Sequence, residues 1–244
     1  MTANSQLIFG KGLRRGFTRQ GVLPLAYRAI PERLSLQRVD EEFWKRLFDI
    51  VFSLFVLILF APVYLILALL IALSSPGSVF YVQERVGKNR QLFGCIKFRT
   101  MVSNADEILT QIMETYPHLR EEFQSNFKLK HDPRITWIGR FLRVTSLDEF
   151  PQFWNVLIGD MSVVGPRPLV VEELHKYGRH MDKILTIKPG ITGLWQVSGR
   201  NDIPYPRRVQ MDLYYVTFKN FWTDLGIVVK TIGVVIFPKN NGAY

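Results

Sequence analysis

Residues 47–73 read LFDIVFSLFVLILFAPVYLILALLIAL, and the reading of this stretch decides the architecture. Asp49 is its only formal charge, and Ile50 to Leu73 carries none. The hydrocarbon core of a bilayer takes about 20 helical residues, so the stretch is long enough to enter a membrane. It begins too far from the N-terminus for a secretory signal, runs too long for an h-region and lacks a small-residue cleavage site. Pro62 lies near its middle, where a proline removes one backbone hydrogen bond and bends a helix. The chain therefore reads as membrane-bound.

Charge sets the expected topology. The net charge is +10, and basic residues flank the apolar stretch on both sides, Arg38, Lys45 and Arg46 before it and Arg85, Lys88 and Arg90 after. Flanking Lys and Arg stay on the cytoplasmic side, so a straight span would leave one basic flank on the wrong face. A re-entrant hairpin over 43–74 keeps both flanks cytoplasmic; a kinked single-pass anchor is the alternative. No zinc-finger, RNP or basic-zipper pattern accompanies the charge, so anionic lipids and a phosphorylated substrate are expected as partners and nucleic acid is not. The single cysteine, Cys95, excludes an internal disulfide and suits a reducing compartment. Lys45 and Arg46 read as headgroup anchors.

Around this segment the chain divides into a basic arm over 1–42, the membrane hairpin over 43–74, a catalytic domain over 75–238 and a tail over 239–244. The fold class expected is α+β and mostly helical, with amphipathic interfacial helices. Ser74-Ser75-Pro76-Gly77 stops the apolar helix. Strands are predicted over Val79–Gln83 and Gln91–Phe98 around a Gly-Lys-Asn turn. Helices are predicted near 105–116, 119–127, 135–142, 172–185 and 206–218, with another from Phe153 to the stop at Gly159. Lys188 to Arg200, rich in glycine, reads as loop. The apolar C-terminal stretch 221–237, opened by Trp222 and interrupted by Asp224 and Lys230, reads as an interfacial or core helix.

Residues 143–168, RVTSLDEFPQFWNVLIGDMSVVGPRP, hold adjacent carboxylates at Asp148 and Glu149. Ser146 and Glu149 have capping-box spacing ahead of Pro151, which makes them the start of a helix. A carboxylate at the positive end of a helix stays ionised, as a nucleophile must, so capping and chemistry are compatible. Other chemistries lack their residues. A P-loop would need glycine at Val82, and neither His-Glu-x-x-His nor Gly-x-Ser-x-Gly occurs. The four histidines do not have metal-ligand spacing.

The series KRLFD at 45–49, SPGSVFYVQERVG at 75–87, KFRTM at 97–101, DPRIT at 132–136, TSLDEFPQFWNVLIGDMSVVGPRP at 145–168, PGITGLWQVSGR at 189–200 and MDLYYV at 211–216 resembles the monotopic phosphoglycosyl transferases. The likeness runs in order over about 43–238. It implies transfer of sugar 1-phosphate from a UDP-sugar to undecaprenyl phosphate at the cytoplasmic face of a bacterial inner membrane, with Mg²⁺ as cofactor and release of UMP. It makes Asp148 the nucleophile that carries the phosphosugar, and Glu149 its neighbour at the metal. Attack by an anion on a diphosphate needs cations around the phosphate oxygens, and arginine forks suit them. Lys97, Arg99, Arg143, Arg167 and Arg200 are the candidates. Asp212 resembles a further functional acid of the family, and Gln196 is assigned to the nucleotide or sugar. An N-acetylhexosamine is the sugar favoured. Where some members have Ser-Pro at the membrane-helix break this chain has Ala61-Pro62, so no hydroxyl restores the freed carbonyl. A non-catalytic membrane scaffold and a membrane-anchored phosphohydrolase are the rival readings.

Overall fold

The computed structural model describes residues 32–126, 129 and 131–236. Most of the expected arm and all of the expected tail lie outside the described residues. Met1–Asp40 and Glu41–Tyr244 form separate units, so the apolar segment and the residues after it share one compact body.

Helix α1 (Glu32–Leu59) and helix α2 (Ala61–Ser74) meet at Phe60, and Asp40–Leu59 is bent by 62° against α2. The cause is Pro62, which lies in the first turn of α2 and has no N–H to return to the carbonyl one turn back. Among the described residues no single helix is long and apolar enough to cross a membrane, while this bent pair has the length and composition of a broken span or a re-entrant loop. Outward, the pair exposes Ile58, Leu65, Ile66, Leu69 and Leu73. Inward, it buries Val56, Leu67 and Ile71.

Strands β1 (Phe80–Val86) and β2 (Leu92–Phe98) form an antiparallel hairpin in register from Phe80↔Phe98 to Val86↔Leu92. The first strand runs past Gln83, where the sequence reading stopped. Glu84 and Arg85 look like a polar break, but Arg85 is buried and hydrogen-bonded, so the ladder continues. Helices α3 (Ala105–Thr115), α4 (Pro117–Asn126), α5 (Trp137–Thr145) and α6 (Gln152–Ile158) follow. Thr136 caps α5, its hydroxyl accepting from Gly139 N–H at 3.0 Å. Gly159, at φ 101°, closes α6 as expected.

Strand β3 (Ser162–Val164) then pairs in parallel with β4 (Gly190–Thr192), which corrects the reading of Lys188–Arg200 as loop. Three residues with a glycine at the first give no strand signal. The glycine is required because the backbones touch: a Cβ on Gly190 would stand 2.0 Å from Gly165 N. The helix expected over 172–185 is also corrected. Val171–His180 is a 3₁₀ stretch broken at Gly178, φ 49°, ahead of the short α7 (Met181–Ile184). Helices α8 (Tyr205–Phe218) and α9 (Phe221–Ile236) complete the body, a helical protein with two small sheets.

Three apolar clusters hold it together. Val56 of α1 packs with Phe153, Val156, Val163, Tyr215 and Ile227. Leu67 and Ile71 of α2 pack on Phe98, Ile138 and Leu142. Leu169, Tyr177, Ile184 and Val209 form the third. The bent pair is thus part of the core on one side and bare on the other.

Lys45 and Arg46, read as headgroup anchors, also hold partners within the protein. Lys45 pairs with Asp49 at 3.1 Å and with Asp224 of α9 at 3.0 Å. Arg46 donates to the carbonyls of Val156 and Leu157, at 2.5 and 2.8 Å, which cap the exposed end of α6.

Candidate active site

Ser146 stands at the N-cap position of the turn that holds the dyad, but not as a capping-box serine. At φ 60° it is the left-handed residue that ends α5, its side chain caps nothing, and its hydroxyl accepts from Arg200 Nη2 at 2.6 Å. Asp148 and Glu149 therefore lie in a single 3₁₀ turn, Leu147–Glu149, pinched between α5 and α6. The turn is seated on the helix break. Tyr64 OH donates to Phe150 O at 3.0 Å, and the Phe60 and Phe150 rings meet edge to face at 5.5 Å.

Four of the predicted cations converge on the dyad. Lys97, near the end of β2, donates to Glu149 Oε1 at 2.8 Å, and Arg167 Nη1 stands 3.7 Å from the same oxygen. Arg143, in the last turn of α5, donates Nε to Thr100 Oγ1 at 3.0 Å, and its charge acts on Asp148. Arg200 acts on both carboxylates.

The two acids are treated differently. Burial would raise Glu149, but Lys97, Arg167, the Lys97 hydrogen bond and Arg85 outweigh it and hold the carboxyl down at about 2. For Asp148 burial is the largest influence and raises; Lys97 lowers, the charge on Glu149 raises, and Arg143 and Arg167 lower, leaving it pushed up to about 6. Among the described residues Asp148 accepts no hydrogen bond and forms no ion pair within 4 Å, as the polar contacts of the turn fall to Glu149. One carboxylate is clamped, and its neighbour is charged at neutral pH and unengaged.

The remaining predicted residues are placed elsewhere. Arg99 donates to the carbonyls of Ser75, Pro76 and Ile71 at 2.6, 2.9 and 3.3 Å, so its guanidinium caps the end of α2. Arg99→Met is expected to lower thermal stability by about 2 kcal/mol, or roughly 6 °C, for the lost charge-assisted bonds, with KM for donor unchanged. A raised KM at unchanged Tm would place the side chain at the phosphates instead. Gln196 donates Nε2 to Ile191 O at 3.0 Å, and its Oε1 is buried without a partner. Asp212 is 1% exposed and accepts from Tyr177 OH at 2.9 Å. Burial pushes it up to about 7 against the pull of Tyr177, the nearby Trp195 indole and Arg167. Its Oδ1 and the Trp195 Nε1 both stand outside hydrogen-bond geometry. Asp212 is thus in electrostatic reach of Arg167.

Two residues that sequence reasoning passed over hold the site in place. Arg85, counted only among the flanking charges, is 7% exposed. It donates to Pro168 O at 3.1 Å and so steadies the loop that carries Arg167. Asn155, 0% exposed, accepts from Ile96 N–H at 3.0 Å and donates to Gly94 O at 2.8 Å. It stitches α6 to β2, which fixes the dyad turn against Lys97. A lone asparagine inside the apolar run FWNVLI is the signal that was available.

For a cation, no group of three or more His, Cys, Asp and Glu is assembled among the described residues. Two adjacent carboxylates, one of them without a partner, still fit Mg²⁺, which is commonly held by one or two carboxylates and completed by substrate phosphates and water.

A family model described as bacterial sugar transferase matches residues 40–238. A UDP-galactose-lipid carrier transferase of Erwinia amylovora is 48% identical over 210 residues, covering 86% of this chain and 43% of that protein. An undecaprenyl-phosphate galactose phosphotransferase of Salmonella typhimurium is 48% identical over 210 residues, 86% of this chain and 44% of that one. The exopolysaccharide production protein ExoY of Rhizobium meliloti is 44% identical over 212 residues, 87% of this chain and 94% of that one. The chain thus spans less than half the length of the first two and nearly all of the third. With the model match taking in the bent helix pair, the dyad turn and α9, this chain belongs to the bacterial sugar transferases.

Proposed function

We infer that the protein transfers sugar 1-phosphate from a UDP-sugar to undecaprenyl phosphate through a phosphosugar carried on Asp148. The observation that carries this is the division of labour in the dyad: Glu149 is clamped by Lys97 and Arg167 while Asp148 keeps a free carboxylate. An Asp148 oxygen attacks the phosphorus that bears the sugar, the bond from that phosphorus to the bridging oxygen breaks, and UMP leaves. An oxygen of the lipid phosphate then attacks the same phosphorus, the acyl-phosphate bond breaks, and Asp148 is regenerated. Two displacements replace one between two phosphates.

Lys97 and Arg167 keep Glu149 ionised and line the approach with positive charge. Arg143, whose charge acts on Asp148, and Arg200, which acts on both carboxylates, are suited to hold phosphate oxygens as charge moves from nucleophile to leaving group. Mg²⁺ held by Asp148 and Glu149 would supply neutralisation of the diphosphate charge. The apolar outer face of the bent pair, with Trp222, Val229, Ile232 and Ile236 exposed on α9, supports a re-entrant attachment to the cytoplasmic leaflet of a bacterial inner membrane and contact with anionic lipids. The dyad turn rests on the helix break, which supports an acceptor whose phosphate lies at the headgroup level.

Two of the relatives are named for galactose, which supports UDP-galactose as donor over the N-acetylhexosamine that the sequence reading favoured. The test is purified protein with a panel of UDP-galactose, UDP-glucose and UDP-N-acetylhexosamines. UMP release beyond one equivalent per enzyme is expected to require undecaprenyl phosphate and to be fastest with UDP-galactose. Continued UMP release without lipid, beyond one equivalent per enzyme, would make the protein a hydrolase, and no release from any donor would make it a scaffold.

A further inference from the structure

A second polar cavity lies away from the dyad, where the β1–β2 turn meets the loop before β4. Its volume is about 140 Å³, and its lining includes Lys88, Asn89, Phe93, Gly159, Asp160 and Lys188. A single water needs roughly 10–15 Å³ of such space, so this cavity admits a polyatomic ligand. Both lysines are half-buried, and among the described residues neither has an ion pair within 4 Å. A third cation stands at the rim. A Cβ built on Gly159 would lie 3.5 Å from Lys188 Nζ and 3.6 Å from Arg46 Nη2. The left-handed glycine therefore leaves open the place where these charges meet. Of the acids nearby, Asp49 is already paired with Lys45, and Asp160 shares its carboxylate with Asn155 Nδ2 at 3.2 Å. Half-buried, unmatched ammonium groups around a roomy polar cavity are an arrangement that an anion completes.

We propose that this cavity binds a phosphate group, held by Lys88 and Lys188 with Arg46 at its rim. The site is separate from the dyad, since β2 carries the chain four residues from Phe93 at the cavity to Lys97, about 13 Å at strand spacing. It also sits beside the first turn of the apolar segment, because Arg46 directly precedes Leu47. The phosphate group comes either from a soluble phosphoanion or from the headgroup of an anionic lipid. Crowding with Arg46 and Lys88 adds to burial in holding the Lys188 ammonium below the usual lysine range, which a bound anion would relieve.

The test is titration of inorganic phosphate into the purified full chain in phosphatidylcholine nanodiscs. Lys88→Gln/Lys188→Gln is expected to weaken binding at least about tenfold at unchanged Tm, because neither side chain holds a structural partner. Arg167→Ala, which removes a cation of the dyad instead, is expected to retain the binding. Repeating the titration in nanodiscs containing phosphatidylglycerol separates the sources: a lipid-headgroup site is already filled and phosphate affinity drops, whereas a site for a soluble anion is unaffected. Equal affinity in the double lysine variant and the wild type overturns the proposal, as does binding lost in Arg167→Ala. None of these readouts depends on sugar transfer, so the result stands apart from the activity proposed above.

Discussion

Asp148→Asn is expected to abolish sugar-phosphate transfer, lowering kcat by at least about 1,000-fold, while leaving the protein folded. The substitution keeps the shape of the side chain and removes only its charge. It takes no hydrogen bond from the turn, because among the described residues Asp148 makes none, and Lys97 and Arg167 keep Glu149 as their partner. Stability should hold or rise, since a half-buried charge pushed toward neutrality by its surroundings is being replaced by a neutral group. The covalent step gives a direct readout. Wild-type enzyme quenched with donor alone should carry a sugar phosphate on the peptide containing residue 148, and the variant should not.

The same charge sets the pH profile. Because burial raises Asp148 to about 6, the carboxyl is protonated below that pH and cannot attack. The rate should therefore rise with pH by about tenfold per unit below 6 and level off above it. Glu149, held at about 2, adds no second limb in the working range. An acid limb near an ordinary aspartate value, with transfer surviving in the asparagine variant, would remove Asp148 from the role of nucleophile.

Much of this was legible in the sequence because it is local. Pro62 in an uncharged apolar run foretells a broken helix, Gly159 after FWNVLI foretells its stop, and the arginines around Asp148-Glu149 foretell a cluster of cations at the dyad. What escaped is long-range. Ser146-x-x-Glu149 satisfies the capping-box spacing, yet the hydroxyl is taken by Arg200, 54 positions away. Arg99 shares the short motif KFRTM with Lys97, but the two find different partners: Lys97 reaches Glu149 and Arg99 reaches the end of α2. Strand β4 exists only because Gly165 and Gly190 let two distant backbones touch. Spacing rules describe neighbours on one element, whereas these contacts are decided by which elements meet.

Asp49 shows the same limit and offers the sharpest test of the architecture. In the sequence it is a lone acid inside an apolar stretch. In the structure it is 3% exposed, pairs with Lys45, and accepts from Val163 N–H at 3.0 Å and Ser162 Oγ at 3.1 Å. Lys45 in turn reaches Asp224, which also accepts from Tyr215 OH at 2.7 Å. One buried ionic network thus bolts α1 to β3 and α9, and through β3 to the glycine contact that aligns the Arg167 loop. Asp49→Ala strands the Val163 N–H and leaves Lys45 a single partner, so a loss of about 3–5 kcal/mol is expected, seen as a fall in Tm of roughly 10 °C in detergent. Asp49→Asn keeps an acceptor for Val163 and should recover part of that loss. Lys45→Met, which leaves Asp49 and Asp224 buried without their shared cation, should be nearly as damaging as Asp49→Ala. If the alanine variant melted within about 2 °C of the wild type, α1 would be attached by its apolar contacts alone, and the charge would need another purpose.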